Sequence, residues 1–549
     1  MTIDPTARPA DLLVTGGSVV TMDATRPRAE ALAVRAGRIV HVGRSTEVQG
    51  MVGSRTRVVE LRGETVAPGF QDAHIHPIGA GLDMLRCDLH DHHGLEDYLA
   101  VTAAFAARHR GPWITGGGWS LSDFPGGTPL AADLDRVVPD RPAFLANRDG
   151  HGAWVNSRAL ELAGVDATSP DPPDGRIERH PDGSPSGTLH EGAMRLVERL
   201  IPEDTVDEML EALGLAQGIL HGLGITAWQD AWLTPDMLET YVRFAERGEL
   251  TARVVGALWW NRSGGLDQIE TLVAQRARGS HGRFRATSVK LMLDGILENF
   301  TGAVLDPYRD ADGGPTDRRG IDFIDPAMLA EAVTRLDALG FQAHFHAIGD
   351  RAVRNALDAV AAARAANGPS DTRPHIAHIQ LIHPDDLGRF AALGVAANAQ
   401  PYWACHEAQM DELTIPFLGP ERSAWQYPFG SLMRAGARLA MGSDWSVSTA
   451  DPLLEMEVAV TRVSDRHRDR DPFLPAERLT LDEAFAAFTT GTAWVNHLDA
   501  STGSLETGKV ADFVVLDRDV FAPDAGPLGE ARVVATFVEG GPVHDRLAG

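Results

Sequence analysis

The chain has 549 residues, 44% hydrophobic and 23% charged, so it can bury a large core and form more than one structural unit. Its formal net charge of −26 argues against a nucleic-acid partner, which requires a basic surface, and against an anionic membrane surface. The two cysteines, Cys87 and Cys405, are too few for a disulfide framework and fit a reducing compartment.

The first residues, MTIDPTARPADLL, lack the basic and apolar regions of a signal peptide. No stretch reaches the apolar length of a membrane span. We therefore expect a cytoplasmic protein that acts on a small molecule and binds neither membrane nor nucleic acid, and we allow for a homodimer.

Both ends of the chain are predicted to form β-structure. DLLVTGGSVVTMD and ALAVRAGRIVHVG place β-branched residues between glycine-rich turns, and GKVADFVVLD and ARVVATFVEGGPV repeat this pattern near the C-terminus. We predict that residues 1–66 and 496–549 together form one small β-sandwich domain. The alternative is two independent β appendages.

Between these ends, residues 67–495 alternate apolar runs with helical patterns such as PAMLAEAVTRLDALG, in which apolar residues recur at spacings of three and four. Eight repeats of strand and helix predict an α/β fold, a (β/α)₈ TIM-like barrel. The predicted strands are 65–76, 225–231, 252–260, 287–295, 341–349, 375–382, 395–403 and 438–447.

Residues 77–220 are too long for one strand–helix unit. This segment contains GPWITGGGWS, NRDGHGAWVNS and the turn-rich SPDPPDGRIERHPDGSPSG. Loops of this length are usually functional or disordered, and the tryptophans and short apolar runs favour an ordered one. We predict an insertion after the first barrel strand that lies over the active site.

Side chains of metal-binding type recur on the predicted strands. His74 and His76 are two residues apart at the end of the first strand, so both point to one face. Later strands carry Lys290, His344, His346, His378 and Asp444. Singly, each has a simpler explanation: a hydrogen-bonded core histidine, a helix cap at Asp444, or a lysine that reaches solvent. Together, near the carboxyl ends of one barrel's strands, they indicate a metal site.

This order of HxH, strand lysine, two strand histidines and terminal aspartate resembles the amidohydrolase superfamily. The similarity is closest to its YtcJ-like branch (amidohydrolase family 3), which includes N-substituted formamide deformylase, and it runs over nearly the whole chain. It is carried by GPWITGGGW, LDRVVPDRPAFLANRDGHGAWVNSRALELAGV, PDGSPSGTLHE, VKLMLDG, HAIGDRAV, IAHIQLIHPDDLGRF and GSDWSV.

The resemblance implies a binuclear metal site. His74 and His76 would hold the more buried ion, His346 and His378 the second, and a carboxylated Lys290 would bridge both. Asp444 would bind the first ion and act as the catalytic base. Nitrogen and oxygen ligands suit two Zn²⁺ ions best, with Mn²⁺, Fe²⁺ or Co²⁺ as alternatives. A metal-bridging hydroxide would attack the substrate carbonyl.

The other histidines receive different interpretations. The resemblance selects His346, next to AIGD, as the ligand and leaves His344 as a deeper residue of the barrel. Strand parity places His375 on the opposite face from His378. The segment DLHDHHGLED is interpreted as a solvated loop. His151 is a second catalytic candidate that contacts the substrate or its leaving group; the alternative is a structural loop histidine.

Several further residues lie near motifs expected to surround the barrel mouth, and we predict that they form the substrate pocket: Trp119, Trp154, Asp294, Phe300, Tyr402, Trp403 and Trp445. They favour a substrate with an aromatic or bulky apolar group. The resemblance implies hydrolysis of a carbon–nitrogen bond other than a peptide bond, in a formamide or related N-substituted amide. The alternatives are an esterase, lactonase or deaminase on the same barrel, or a non-catalytic scaffold, which should have lost ligands.

Overall fold

The computed structural model describes residues 9–547. Residues 1–8 and 548–549 lie outside the described residues, and so do the parts of the predicted terminal unit and of the segment MTIDPTARPADLL that fall on them. The strands, in chain order, are β1 (Leu12–Val20), β2 (Arg28–Arg35), β3 (Arg38–Gly43), β4 (Arg57–Glu60), β5 (Thr65–Pro68), β6 (Phe70–Ile75), β7 (Cys87–Asp88), β8 (Ile114–Trp119), β9 (Ala143–Asn147), β10 (Gly152–Val155), β11 (Gly175–Arg179), β12 (Pro185–Glu191), β13 (Ile225–Leu233), β14 (Arg253–Trp259), β15 (Ser280–His281), β16 (Phe284–Met292), β17 (Gln342–Ala347), β18 (His375–His378), β19 (Ala396–Ala399), β20 (Leu439–Met441), β21 (Phe513–Leu516), β22 (Val533–Val538) and β23 (Gly541–Asp545).

The longer helices are α1 (Pro77–Leu85), α2 (Leu95–Arg108), α3 (Ser157–Ala163), α4 (Val206–Gly222), α5 (Pro235–Glu246), α6 (Gln268–Arg278), α7 (Pro326–Ala338), α8 (Asp350–Asn367), α9 (Leu387–Leu393), α10 (Phe429–Arg434), α11 (Pro452–Thr461) and α12 (Leu481–Ala486). Within the described residues, none of the helices is both long enough and apolar enough to span a membrane.

The central sheet is a nearly closed parallel barrel. Its strands follow the order β6, β13, β14, β16, β17, β18, β19 and β20, and all neighbours along this path are parallel. Beyond the ends of β20 and β6, the Asp444 amide donates to the His74 carbonyl at 2.7 Å, and the His76 amide donates to the Trp445 carbonyl at 3.0 Å. All eight predicted strands have counterparts, and the predicted (β/α)₈ fold is confirmed.

A helix follows each barrel strand, and local sequence explains where several begin. Thr234, Asp325 and Asp451 each accept a backbone N–H with the side chain at the start of α5, α7 and α11, and a proline follows each of them. The side chain satisfies an amide that the first helical turn leaves free, and the proline supplies a suitable φ angle. These caps fix the loops that leave the carboxyl ends of the strands.

The two ends of the chain share one sheet. Its order is β23, β22, β21, β5, β1, β2 and β3, with β4 paired to β1. The first predicted strand, 65–76, is in fact two strands, because β5 belongs to this sheet and β6 to the barrel. Gly69 separates them, and a Cβ there would lie 2.4 Å from Thr226 Oγ1, so only glycine fits the close approach.

Deleting the chain from Phe513 onwards is expected to lower the melting temperature strongly or to cause aggregation. β21 pairs with β5 through Val515 and Val66, and Phe513, Val515 and Phe537 are fully buried in the core of the terminal sheet. Each such side chain contributes about 1.5–3 kcal/mol when buried. Differential scanning calorimetry would measure the change.

The matched control is deletion from Gly541 onwards, which removes only β23, an edge strand without fully buried residues. This shorter deletion should lower the melting temperature far less. Equal melting temperatures for the long deletion and the parent would mean that the two ends fold separately.

The segment between β6 and β13 contains a third sheet, with the order β11, β12, β10, β9, β8 and β7. Trp119 and Trp154 pack at its centre with ring centroids 6.4 Å apart, and each indole N–H donates to a backbone carbonyl at 2.8 Å. Residues of this segment, such as Arg148 and His151, line the same cavity as the ends of the barrel strands. The segment is therefore ordered and lies beside the barrel mouth.

Candidate metal centre

Three side chains from the two ends of the barrel sheet converge on one point. Asp444 Oδ1 lies 3.0 Å from His76 Nε2 and 3.3 Å from His74 Nε2. One ligand-type atom from each of the three lies within 4.8 Å of the other two. His74 and Asp444 are almost fully buried. Two imidazoles and a carboxylate in this arrangement are a ligand set for a divalent transition metal.

Lys290, on β16, adjoins this group. Its Nζ lies 3.1 Å from His74 Nε2, and the side chain is 3% exposed. On the other side of the His74 ring, Nδ1 lies 2.7 Å from His344 Nε2, and His344 is fully buried. His344 therefore orients His74 from deeper in the barrel, as a neighbour of a metal-binding imidazole commonly does.

His346 and His378 complete the cluster. Their ring centroids are 4.4 Å apart, and the His378 ring centroid lies 4.7 Å from that of His74. Within the described residues, neither buried ring nitrogen of His378 has a hydrogen-bond partner. Buried polar atoms are almost always satisfied, and a metal ion is a partner that fits the single nitrogen lone pair of a neutral imidazole.

Electrostatics keep these histidines neutral. Burial, followed by the charge of Lys290, lowers the pKa of His74 to about 3. Burial and the neighbouring basic groups also hold the pKa of His346 and of His378 well below the usual value. A neutral imidazole offers a lone pair to a metal, whereas an imidazolium does not. His74, His346 and His378 are therefore in the protonation state that metal binding requires.

Asp444 is held as a carboxylate. Burial raises its pKa, but the histidines around it outweigh that effect, and the pKa lies well below its ordinary value. Asp72 connects the backbone after β20 to the end of β6, because its carboxylate oxygens accept hydrogen bonds from the amides of His74 at 2.9 Å and of Ser443 at 3.0 Å. An ionised carboxylate beside a metal can accept a proton.

His151 reaches the centre from the inserted segment. Its ring centroid lies 5.4 Å from that of His346, and its Nδ1 lies 2.8 Å from Glu191 Oε1. Burial lowers the pKa of His151, but the carboxylates of Glu191, Asp149 and Asp294 outweigh it and raise the pKa to about 9. His151 is therefore protonated at neutral pH and can donate a hydrogen bond.

A large cavity opens from the centre and encloses about 1870 Å³. Tyr402, Trp403 and Trp445 line it, as the sequence predicts for the substrate pocket. The Trp403 ring stacks near the His378 ring, with centroids 5.6 Å apart.

Four other residues predicted for the pocket lie elsewhere. Trp119 and Trp154 are fully buried in the core of the inserted sheet. Phe300 packs against Phe417 with ring centroids 4.9 Å apart. Asp294 lies beneath His346, fully buried, and accepts three backbone amides, including that of Gly349 at 2.9 Å. Trp119 and Trp154 are therefore core residues, and Phe300 packs against the same core.

The parity argument for His375 is wrong. Its ring packs against His344 at 4.0 Å between centroids, and its Nε2 lies 2.9 Å from Gln229 Oε1, so it points into the barrel interior. His378 also reaches the interior because its φ of 75° ends the strand alternation. In the DLHDHHGLED segment, His92 and His93 are partly exposed and pair with Asp97 and Asp123. His90 is more buried and pairs with Asp88, and both His90 and His93 line the cavity.

Sequence reasoning missed three residues of the site. Glu191, the partner of His151, is the last residue of β12. It is also the last residue of the motif PDGSPSGTLHE, and an acidic residue at the end of this motif could have identified it. Trp232 and Trp259, at the carboxyl ends of β13 and β14, also line the cavity. Their position at the end of predicted barrel strands could have identified them.

Comparisons with known proteins agree with this geometry. The amidohydrolase family matches residues 57–544. Protein LONG AFTER FAR-RED 3 of Arabidopsis thaliana is 34% identical over 97% of this chain and 91% of its own length. N-substituted formamide deformylase of Arthrobacter pascens is 29% identical over 96% of this chain and 97% of its own length.

Among solved structures, an uncharacterized metal-dependent hydrolase of Pyrococcus furiosus is 26% identical with a TM-score of 0.69, over 92% of this chain and 99% of that one. The resemblance drawn from the sequence is confirmed, and so is the prediction of a hydrolytic enzyme. The chain belongs to the amidohydrolase family.

Proposed function

We propose that this protein is a metal-dependent hydrolase of a carbon–nitrogen bond other than a peptide bond, in an N-substituted amide and foremost a formamide. The observation that carries the proposal is the convergence of His74, His76, Lys290, His346, His378 and Asp444 beside a large cavity. All six are residue types that can bind a metal. A scaffold without activity would be expected to have lost some of them.

In this proposal, His74, His76 and Asp444 hold one divalent ion, and His346 and His378 hold a second, with Lys290 between them. The donor set of imidazole and carboxylate oxygen suits Zn²⁺. When bound, such ions polarise a carbonyl and lower the pKa of water, which supplies the nucleophile at neutral pH. The ring nitrogens of His378, which have no hydrogen-bond partner among residues 9–547, support this assignment.

Lys290 fits the bridging role only after it is carboxylated. Burial lowers its pKa to about 7, against the opposing charges of Asp444 and Asp230, so a neutral amine is present near neutral pH. A neutral amine can add to CO₂, forming a carbon–nitrogen bond and releasing one proton. The product is an anion, so the free-energy cost of burying a cation beside metal ions is avoided. The chain has a second lysine, Lys509, in the terminal region, where Nζ pairs with Glu506.

Asp444 and His151 divide the proton chemistry. Asp444 accepts the proton released when the nucleophile attacks the carbonyl and delivers it to the leaving amine. His151, protonated by its contact with Glu191, donates a hydrogen bond to the oxygen on which negative charge develops or to the leaving group. The two groups act from different elements, the end of the barrel and the inserted segment.

The similarity to N-substituted formamide deformylase supports the choice of substrate class. The two cysteines are free thiols, which supports a reducing compartment, and we propose that the protein acts in the cytoplasm. A homodimer stays a prediction.

The test is a substrate panel assayed with Zn²⁺-loaded protein: N-substituted formamides, cyclic amides, esters, lactones and aminated heterocycles. We expect N-substituted formamides to give the highest kcat/KM. A preference for esters or lactones would favour an esterase or lactonase, and ammonia release from heterocycles a deaminase. No turnover on any member, with metal bound, would contradict the proposed function.

A further inference from the structure

A stacked pair of tryptophans lies in the cavity beside the candidate metal centre. The rings of Trp232 and Trp259 are parallel within 7°, with centroids 3.9 Å apart. Trp232 is 38% exposed, more than any other Phe, Tyr or Trp among residues 9–547. The same two stretches of chain bury Trp228 and Trp260 almost completely. An indole that faces water inside a cavity leaves apolar surface exposed. A bound apolar group would cover this surface, and the burial would favour binding.

The pair is held in place by the barrel. The Trp232 amide donates to Asp230 Oδ1 at 3.1 Å, and the Tyr241 hydroxyl donates to Asp230 Oδ2 at 2.8 Å. The Trp228 indole N–H donates in turn to the Tyr241 oxygen at 3.2 Å. Trp259 covers one face of the Trp232 ring. These contacts orient the stacked pair before any ligand binds, and a preformed surface lowers the entropic cost of binding.

The pair also lies close to the candidate metal centre. The Trp232 ring centroid is 6.4 Å from that of His76, whose Nε2 is 3.0 Å from Asp444 Oδ1. Aromatic rings stack with centroids about 4.5–7 Å apart. A substrate ring stacked on Trp232 would therefore be only a few bonds away from an amide group beside Asp444. The cavity of about 1870 Å³ is far larger than a formyl group requires.

We infer that Trp232, backed by Trp259, binds a planar aromatic substituent of the substrate and so determines specificity among N-substituted amides. The inference rests on the proposed function and adds the substrate class to it. It makes Trp232 a specificity-determining residue that contacts the substrate away from the bond that breaks.

The experiment compares an N-(arylmethyl)formamide with the N-(cyclohexylmethyl)formamide of similar size, which cannot stack. For Trp232→Ala, the ratio of kcat/KM for the aryl over the cyclohexyl substrate should fall by about 2- to 12-fold, the range for an aromatic pair. Trp232→Phe should retain most of the preference. Leu339→Ala, which removes an exposed apolar side chain at the end of α7, is the matched control and should leave the ratio unchanged.

An unchanged ratio in Trp232→Ala, or a parent without preference for the aryl substrate, would overturn the inference while leaving the proposed function intact. A second readout does not need turnover: benzylamine and cyclohexylmethylamine are titrated into the parent and Trp232→Ala with calorimetry. Tighter binding of benzylamine that is lost in the variant supports the inference even if no amide is hydrolysed. Equal affinity for the two amines contradicts it.

Discussion

Lys290→Ala is expected to lose most of the bound metal and to lower kcat/KM by at least about 10³-fold, because the metal contributes several kcal/mol and each 1.36 kcal/mol is tenfold in rate. Lys290 is 3% exposed and its Nζ lies 3.1 Å from His74 Nε2, which places it among the proposed metal ligands. Metal content by mass spectrometry and steady-state kinetics would measure both losses. Added acetate or propionate should restore part of each.

Lys290→Met keeps the volume of the side chain and controls for the hole that alanine leaves in the barrel. It should melt near the parent temperature and remain as inactive as Lys290→Ala. Lys509→Arg, which alters the second lysine, should keep full metal and activity. A Lys290→Ala protein with full metal content and activity within a few-fold of the parent would contradict the bridging role.

The carboxylation itself can be observed directly because the chain has just two lysines. Protein equilibrated with ¹³C-bicarbonate should give a carbamate resonance that persists in Lys509→Arg and disappears in Lys290→Met.

Asp444→Asn is expected to fold normally and to lower kcat by about 10²–10⁴-fold, the usual cost of losing a general acid–base group. Asparagine tolerates the φ of 55° at this position and keeps one side-chain oxygen, and the hydrogen bond to the His74 carbonyl comes from the backbone. Asparagine cannot take up the proton that the attacking nucleophile releases. The metal held by His74 and His76 should therefore remain, with weaker affinity.

The comparison must be made at matched metal content, so that lost proton transfer is separated from lost metal. Ser448→Ala, which removes a nearby cavity-lining hydroxyl that donates to the Ser443 carbonyl, is a control for small changes in this loop. An Asp444→Asn enzyme within a few-fold of the parent kcat would contradict the role of Asp444 as the base.

The sequence predicted the barrel because each strand is a short apolar run followed by a helical pattern, and this signal is local. The HxH pair, Lys290 and Asp444 could be placed together because the carboxyl ends of parallel strands meet on one side of a barrel. Residue spacing could not place His375, since the positive φ of His378 interrupts the alternation on which parity depends. Backbone conformation at a strand end is set by the surrounding fold.

The inserted segment was harder to interpret for a related reason. Its tryptophans indicated order, but Trp119 and Trp154 fill the core of a sheet that the sequence did not predict. The contact between His151 and Glu191 joins residues 40 positions apart, one just before β10 and the other at the end of β12. Without the strand pairing, no local pattern connects them. The stacked pair of Trp232 and Trp259 likewise depends on neighbouring barrel strands.

The most direct test of metal-dependent hydrolysis is the amount of divalent metal bound per chain, measured together with amide hydrolysis before and after chelation. We expect about two equivalents of metal in the active protein, a loss of hydrolysis in parallel with metal removal, and recovery when Zn²⁺ is restored. Hydrolysis that continues unchanged in protein stripped of metal would contradict it.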